Sequence, residues 1–181
     1  VGKHYELAFN LSRAQYLITC QRNLASQLSK MGVLAERWEA PELWRVTVAV
    51  IPDEVPPMDV INQIDGVALP KGELRTAEFE QEGGSVYLAL IDTPTSAKVR
   101  AGLTISLDPF GLSPTSTYRA LMAEGVGQLP EPLTIPQEGG YPIALDTLTL
   151  FADGDPRLSW GLCSRIGEQR EELRNWAFRV K

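Results

Sequence analysis

The sequence is poor in the residues that mark metal sites, disulfide frameworks and membrane segments. It contains one histidine, His4, and two cysteines, Cys20 and Cys163, which lie far apart and outside any Cys-x-x-Cys pattern. This spacing argues against a zinc site or a disulfide and predicts two buried, reduced thiols. No apolar run approaches the roughly 20 residues that span a bilayer. We therefore expect a cytoplasmic protein with no membrane contact, no bound metal and no cofactor.

Positive charge is also scarce. Lys and Arg number 17 against 23 Asp and Glu, which gives a formal net charge of −6. Sequence-independent binding to duplex DNA uses many Lys and Arg contacts to phosphates, so this balance argues against duplex DNA as a partner. A mononucleotide, a short RNA end or another protein fits the charge better. Gly-x-Gly-x-x-Gly and Walker phosphate loops are missing from the sequence as well.

What remains is the composition of an ordinary globular domain. The 181 residues are 44% apolar and 22% charged, enough to bury a core without crosslinks. We predict one domain over residues 1–181, built of two lobes. Lobe 1 covers about 1–92 and receives the C-terminal strand, and lobe 2 covers about 93–181.

The first half alternates strand and helix patterns. Residues 4–11 are rich in strand formers, and Ser12 is a candidate N-cap for a helix whose apolar residues recur at helical spacing up to Gly32. Pro56-Pro57 opens a second helix. Gly83-Gly84 lies between two β-prone runs and therefore predicts a hairpin.

The second half is less regular because prolines and glycines interrupt it. The pattern predicts a helix at 96–107, a loop at 108–127 with a short helix near 117–123, an irregular edge strand at 129–136, a strand at 143–151, and at 173–180 a strand or the end of a helix that begins near Ser164.

A β-prone run at residues 44–51 is the most informative stretch. Side chains alternate across a strand. One face is predicted to carry Trp44, Val46, Val48 and Val50, and the other Arg45, Thr47, Ala49 and Ile51.

This stretch resembles the first motif of the two-histidine (2H) phosphoesterases of the LigT type, the 2′-5′ RNA ligases or RNA 2′,3′-cyclic phosphodiesterases. Their hallmark is His-x-Thr-x, once in each half of a pseudo-symmetric domain. Here Arg37-Trp38 through Leu43-Trp44 resembles the approach, Arg45-Val46-Thr47-Val48 the motif, and residues 50–55 the exit. Arginine stands where the family has its first histidine.

The resemblance implies an α+β fold, bilobal and pseudo-symmetric, with two antiparallel-rich sheets flanked by helices around a central cleft. It places the second motif at Pro132-Leu133-Thr134-Ile135, with proline in place of the second histidine. The alternative register puts the motif at Thr147-Leu148-Thr149-Leu150. We prefer Pro132 because its distance from Arg45 suits two lobes of equal length.

The substitutions change the chemistry that the family implies. Imidazole exchanges protons near neutral pH, whereas arginine stays protonated and proline has no titratable side chain. We therefore expect a degenerate, non-catalytic protein that binds a nucleotide or RNA-end phosphate through Arg45, Thr47 and Thr134.

Three alternatives stay open. Arg45 could instead pair with a carboxylate such as Glu42 or Asp53, with the threonines acting only as strand residues. The chain could be an active cyclic phosphodiesterase that uses substitute residues. It could also be a protein-interaction module with a closed cleft. His4, near the terminus, is expected to be solvated rather than catalytic.

Overall fold

The fold is an α+β arrangement of two antiparallel sheets and three helices, which confirms the predicted fold class. The computed structural model describes residues 4–135, 140–162 and 170–172. The ten strands are β1 (Tyr5–Asn10), β2 (Arg37–Trp38), β3 (Arg45–Ile51), β4 (Gly72–Glu82), β5 (Ser85–Ile91), β6 (Tyr118–Glu124), β7 (Pro142–Leu145), β8 (Thr147–Ala152), β9 (Asp155–Gly161) and β10 (Arg170–Glu172). The helices are α1 (Gln15–Lys30), α2 (Pro57–Asp65) and α3 (Pro94–Leu107), and 3₁₀ turns lie at Pro41–Leu43 and Asp108–Phe110.

Each sheet takes strands from both halves of the chain. The first sheet has the order β10-β9-β8-β1-β3, and the second has the order β2-β6-β5-β4-β7. The strands of residues 72–91 therefore pair with β6 and β7, not with β1 and β3. β3 lies at the edge of the first sheet and contacts β6 of the second. Just before β6, Thr115 N donates a hydrogen bond to Val48 O at 2.7 Å.

The three helices confirm the predicted helical segments. In α1, Leu17, Cys20, Leu24 and Leu28 form the buried face. The N-cap of α1 is Ala14, without a side-chain hydrogen bond, so the predicted cap at Ser12 is wrong. In α3, the Thr93 hydroxyl accepts a hydrogen bond from Ser96 N while the Ser96 hydroxyl accepts one from Thr93 N, which is a reciprocal cap. None of the described helices is both long and apolar enough to cross a membrane.

The pairing of β1 with β3 contains a bulge at Val48. Ala8 pairs with Thr47 and Leu7 with Ala49, so Val48 has no partner and the alternation shifts by one residue. Arg45 and Thr47 keep one face, as predicted. Beyond the bulge the prediction is wrong, because Ala49 and Ile51 are buried and Val50 is exposed.

Two further predictions are wrong, both because the local composition concealed the strand pattern. The short helix expected near 117–123 is the strand β6, in which Tyr118, Ala120 and Met122 alternate into the core. The strand expected at 143–151 is two strands, since the chain passes from β7 in the second sheet to β8 in the first at Asp146. The Gly83-Gly84 hairpin between β4 and β5 is confirmed.

The C-terminal predictions lie largely outside the described residues. Of residues 163–181 only the backbone of β10 is described, and it pairs with β9. The predicted strand or helix end at 173–180 and the predicted burial of Cys163 therefore lie outside the described residues.

Gly140 lies where two backbones meet. It has a φ of +76°, and a Cβ built on it would lie 2.0 Å from the Thr76 carbonyl oxygen. Thr76 and Tyr141 are joined there by two hydrogen bonds, Thr76 N to Tyr141 O and Tyr141 N to Thr76 Oγ1. This contact fixes the start of β7 against β4.

We expect Gly140→Ala to lower the free energy of unfolding by about 3 kcal/mol or more, because it adds a backbone clash to a left-handed conformation. Gly83→Ala is the matched control, since Gly83 has a φ of +59° and open space around its Cβ position. That variant should lose only about 1–2 kcal/mol. Urea unfolding of both variants measures the difference, and equal losses would contradict the clash.

Burial of Cys20 raises the pKa of its thiol to about 11. The folded protein thus holds this proton more tightly than the unfolded chain, in which the pKa is near 9.0. The contribution of Cys20 to stability is complete below pH 9 and is lost as the pH rises towards 11.

In a Cys163→Ser background, we expect Ellman's reagent to leave Cys20 unmodified at pH 8 until the protein is unfolded with guanidinium, because the thiol is both buried and protonated. Unfolding followed from pH 8 to pH 11 in the same background and in Cys20→Ala should show a steeper loss of stability when Cys20 is present. Rapid modification of the native protein at pH 8 would refute this.

Candidate functional site

A small cavity lies where β3 of the first sheet approaches β6 of the second. We call it the two-arginine cavity, and its volume is about 120 Å³. It is lined by Glu39, Leu43, Arg45, Thr47, Tyr87, Arg119 and Leu121. Two predicted site residues, Arg45 and Thr47, thus lie together on one wall, and strands β5 and β6 supply the facing wall.

Arg45 is held by three contacts. Its Nε donates to Glu6 Oε1 at 2.5 Å, its Nη1 donates to Leu43 O at 3.2 Å, and its guanidinium carbon lies 4.6 Å from the centre of the Phe151 ring. Glu6 is almost fully buried, so it is a strong partner. The alternative that Arg45 pairs with a carboxylate is therefore confirmed, but the partner is Glu6 on the neighbouring strand β1 and not Glu42 or Asp53. Arginine has five N–H donors, so three remain beyond these two hydrogen bonds.

Thr47 lies next to Arg45 on the same face, two residues along β3 and before the bulge. Its side chain is half-buried, and within the described part of the chain no group forms a hydrogen bond with its hydroxyl. This hydroxyl is therefore available to a molecule in the cavity.

Arg119 and Leu121 occupy on β6 the places that Arg45 and Thr47 occupy on β3. β6 pairs antiparallel with β5, the strand before α3, just as β3 pairs with β1, the strand before α1. The pairing of β5 with β6 carries a bulge at Met122, the residue after Leu121, as that of β1 with β3 does at Val48. The segments Arg45 to Ala49 and Arg119 to Ala123 also share one pattern of burial.

Arg119 was missed by the sequence analysis, which assigned its segment to a short helix. Its Nη1 donates to Glu82 Oε2, and its guanidinium lies 4.1 Å above the Tyr87 ring. The hydrogen bond to Glu82 raises the pKa of Arg119, so the group is always charged. The signal that could have revealed this strand is the alternation of Tyr118, Ala120 and Met122 with Arg119 and Leu121.

Carboxylates surround the cavity. Glu39 is buried and accepts a hydrogen bond from Arg37 Nη1 at 2.9 Å, while Arg37 Nε donates to Glu124 Oε2 at 2.6 Å. The bonds to Glu124 and then Glu39 raise the pKa of Arg37. Both cavity arginines and Arg37 are thus each paired with a neighbouring glutamate.

The predicted second motif does not line this cavity. Pro132 and Thr134 are exposed and lie in a segment without regular structure, so the strand predicted there is wrong for the described residues up to 135. Thr134 N donates to Gln27 Oε1 at 2.9 Å, and Gln27 Nε2 donates to Thr134 O at 2.7 Å, which ties the segment to α1. Pro130 and Pro132 lack the backbone donors that a paired strand needs.

The alternative residues also lie elsewhere. Thr147 begins β8, where its hydroxyl contacts Asp146 Oδ1 at 3.1 Å, and it is not among the residues that line the cavity. His4 precedes β1, is 59% exposed and has its Nε2 4.0 Å from Glu6 Oε2. Across the described residues, no group of three or more His, Cys, Asp and Glu side chains is arranged to hold a metal ion.

Two antiparallel sheets with a strand, helix, strand unit in each define the LigT-like fold, and the solved structures agree. E. coli LigT complexed with 3′-AMP matches with a TM-score of 0.60 and 15% identity, over 90% of this chain and 99% of LigT. LigT complexed with NADP⁺ matches with a TM-score of 0.55 and 16% identity, over 91% and 100% of the two chains. LigT complexed with phosphate matches with a TM-score of 0.53 and 15% identity, over 90% and 99%. No model of a protein family and no curated protein sequence matches the chain.

The two ion pairs of the cavity differ in burial, and their contributions to stability should differ accordingly. We expect Glu6→Gln to lower the free energy of unfolding by about 2–3 kcal/mol, because it leaves Arg45 partly buried without a counter-charge. Glu82→Gln removes a carboxylate whose side chain is 67% exposed and should change stability by less than about 1 kcal/mol. Urea unfolding of the two variants measures both losses. A larger loss for Glu82→Gln than for Glu6→Gln would contradict the expectation.

Proposed function

We propose that this chain is a degenerate 2H-phosphoesterase-like protein that binds the phosphate of a nucleotide or RNA end in the two-arginine cavity without hydrolysing it. The observation that supports this most is that Arg45 and Arg119 line one cavity from structurally equivalent positions on β3 and β6. We also propose that Arg119-Ala120-Leu121-Met122, rather than Pro132 to Ile135, takes the place of the second motif.

The donors around the cavity suit a phosphate. Guanidinium groups form charge-assisted hydrogen bonds with phosphate oxygens, often two at a time. Arg45 keeps three N–H donors beyond its bonds to Glu6 and Leu43, and the Thr47 hydroxyl is available beside it. Leu121 stands where the second threonine would be, so the two walls of the cavity differ in hydrogen-bonding capacity.

The size of the cavity restricts what it can enclose. Its volume of about 120 Å³ is well below the range of roughly 300–1,000 Å³ typical of sites that enclose whole small molecules. A phosphoryl group fits within it, whereas the nucleoside would lie outside it. The LigT structures with 3′-AMP, NADP⁺ and phosphate show ligands that share this group.

The proposed absence of hydrolysis follows from the lack of a histidine that could transfer protons in the cavity. The sequence has one histidine, and His4 is exposed and does not line the cavity. Arginine stays protonated at neutral pH and does not accept a proton from water. Losing one general acid or base lowers a rate by about 10² to 10⁴, and here both motif positions carry arginine.

A structural role is the second candidate, and the Arg45–Glu6 pair is the observation that favours it. In this interpretation the arginines serve only as ion-pair partners of Glu6 and Glu82, and the chain acts as a protein-interaction module with a closed cleft. The two candidates differ in one measurable respect, the affinity of the cavity for phosphate.

Calorimetric titration with 3′-AMP, 2′,3′-cyclic AMP and inorganic phosphate tests the proposal. We expect saturable binding without product by chromatography, weakened at least about tenfold by Arg119→Gln and by Arg45→Lys, since charged hydrogen bonds contribute about 1.5–3 kcal/mol. Arg22→Gln, on the exposed face of α1, is the control with the same loss of charge as Arg119→Gln and should bind normally.

Glu82→Gln supplies a change in the opposite direction. It frees Arg119 and removes a negative charge, so phosphate should bind about three- to fivefold more tightly, as expected for an exposed ion pair of under 1 kcal/mol. No heat with any ligand at millimolar concentration would sink the binding function and support the structural role. Product formation that requires Arg45 would instead support an active phosphodiesterase.

A further inference from the structure

Among residues 4–135, 140–162 and 170–172, the strand β4 has no strand partner along half of one edge. β7 pairs with β4 only from Gly72 to Arg75, whereas β5 pairs with its other edge as far as Glu82. Among the strands that the structure describes, none pairs with residues 78–82 on the β7 side. An unpaired strand edge offers backbone donors and acceptors to an added strand.

The hairpin geometry shows which backbone groups face outward. Glu82 and Ser85 flank the two-residue turn, and such flanking residues form the hydrogen-bonded pair of a tight hairpin. Because the direction of the backbone groups alternates, those of Glu80 also point towards β5, while those of Phe79 and Gln81 point away from β5, towards the β7 side. Phe79 and Gln81 also line a groove.

The groove has a second wall made by the segment 129–133. Its volume is about 480 Å³, and it is lined by Glu78, Phe79, Gln81, Leu129, Pro130, Glu131, Pro132 and Leu133. The wall is tied to the protein at both ends. Gln81 Nε2 donates to Gly127 O at 2.9 Å at one end, and Thr134 bonds to Gln27 at the other.

The wall does not complete the sheet itself. Pro130 and Pro132 have no N–H, so the segment lacks the donors for a regular ladder with β4. It provides instead an apolar surface opposite the strand edge. An extended chain that enters the groove can therefore pair with Phe79 and Gln81 on one side and pack against prolines on the other.

The charge of the groove indicates which kind of peptide segment it can bind. Glu78 and Glu131 line opposite walls, and the lining contains no Lys or Arg. We propose that this groove binds an extended basic peptide segment of another protein by strand addition to β4, with Lys or Arg side chains against Glu78 and Glu131. A second copy of this chain fits poorly, since its own β4 edge carries the same glutamates.

The test uses a defined peptide on the full chain. The probe is a five-residue peptide of alternating lysine and valine, blocked at both ends, titrated while amide shifts are followed by NMR. Two control peptides replace lysine with glutamate or methylate every backbone nitrogen. We expect binding of the first peptide, with shifts in residues 78–82 and 129–133, and at least tenfold weaker binding of both controls.

Protein variants separate the groove from general electrostatics. Glu78→Lys with Glu131→Lys should weaken binding at least tenfold, whereas Asp53→Lys with Glu54→Lys, an equal charge change at an exposed turn, should change it less than threefold. Arg45→Ala should leave it unchanged, which separates this site from the two-arginine cavity.

Three results would overturn the proposal. Equal weakening by both double variants would show non-specific charge attraction. Unimpaired binding of the methylated peptide would exclude strand addition. A self-association in sedimentation velocity that Glu78→Lys with Glu131→Lys alters would make a second copy of the chain the occupant.

Discussion

The pairing of β3 with β1 is the constraint on which the two-arginine cavity depends. It places Arg45 and Thr47 on the face of β3 that lines the cavity, and beyond the bulge at Val48 the side chains of Ala49 and Ile51 lie in the core. Without the bulge, the strand would bury Val50 and expose Ile51. The edge that contacts β6 would then lose apolar contacts. β6 has an equivalent bulge at Met122, after Arg119 and Leu121, and Ala123 beyond it is buried. Two bulged strands thus bring two guanidinium groups to one cavity.

The second determinant is how each arginine is neutralised. Arg45 is held by a buried glutamate, a hydrogen bond to a backbone carbonyl and an aromatic ring, so its position is set by the protein itself. Arg119 is held by an exposed glutamate, which solvent and salt weaken. An anion that bound as proposed would therefore meet one preorganised donor and one that must first release Glu82. In that proposal, Glu82 is the carboxylate that would compete most directly with the ligand.

The sequence predicted the fold better than the site. The helices, the Gly83-Gly84 hairpin and the face shared by Arg45 and Thr47 followed from local periodicity, which tertiary contacts did not alter. Pro132 and Thr134 matched the second motif in spacing alone and do not line the two-arginine cavity, while β6 was concealed between Pro114 and Gly125. Glu6 as the partner of Arg45 depends on the register between β1 and β3, which no local pattern contains.

A pair of arginines differs from a pair of histidines in the pH dependence that it gives to anion binding. A cavity that used imidazole would change charge near neutral pH, whereas the guanidinium group of an arginine stays protonated throughout the physiological range. Any pH dependence of anion binding must then arise from the ligand or from the surrounding glutamates. Phosphate monoesters gain their second charge near pH 6, so a site of this kind should prefer a terminal phosphate above that pH. Binding that follows the ionisation of the ligand, rather than that of the protein, would distinguish a two-arginine site from a residual catalytic one.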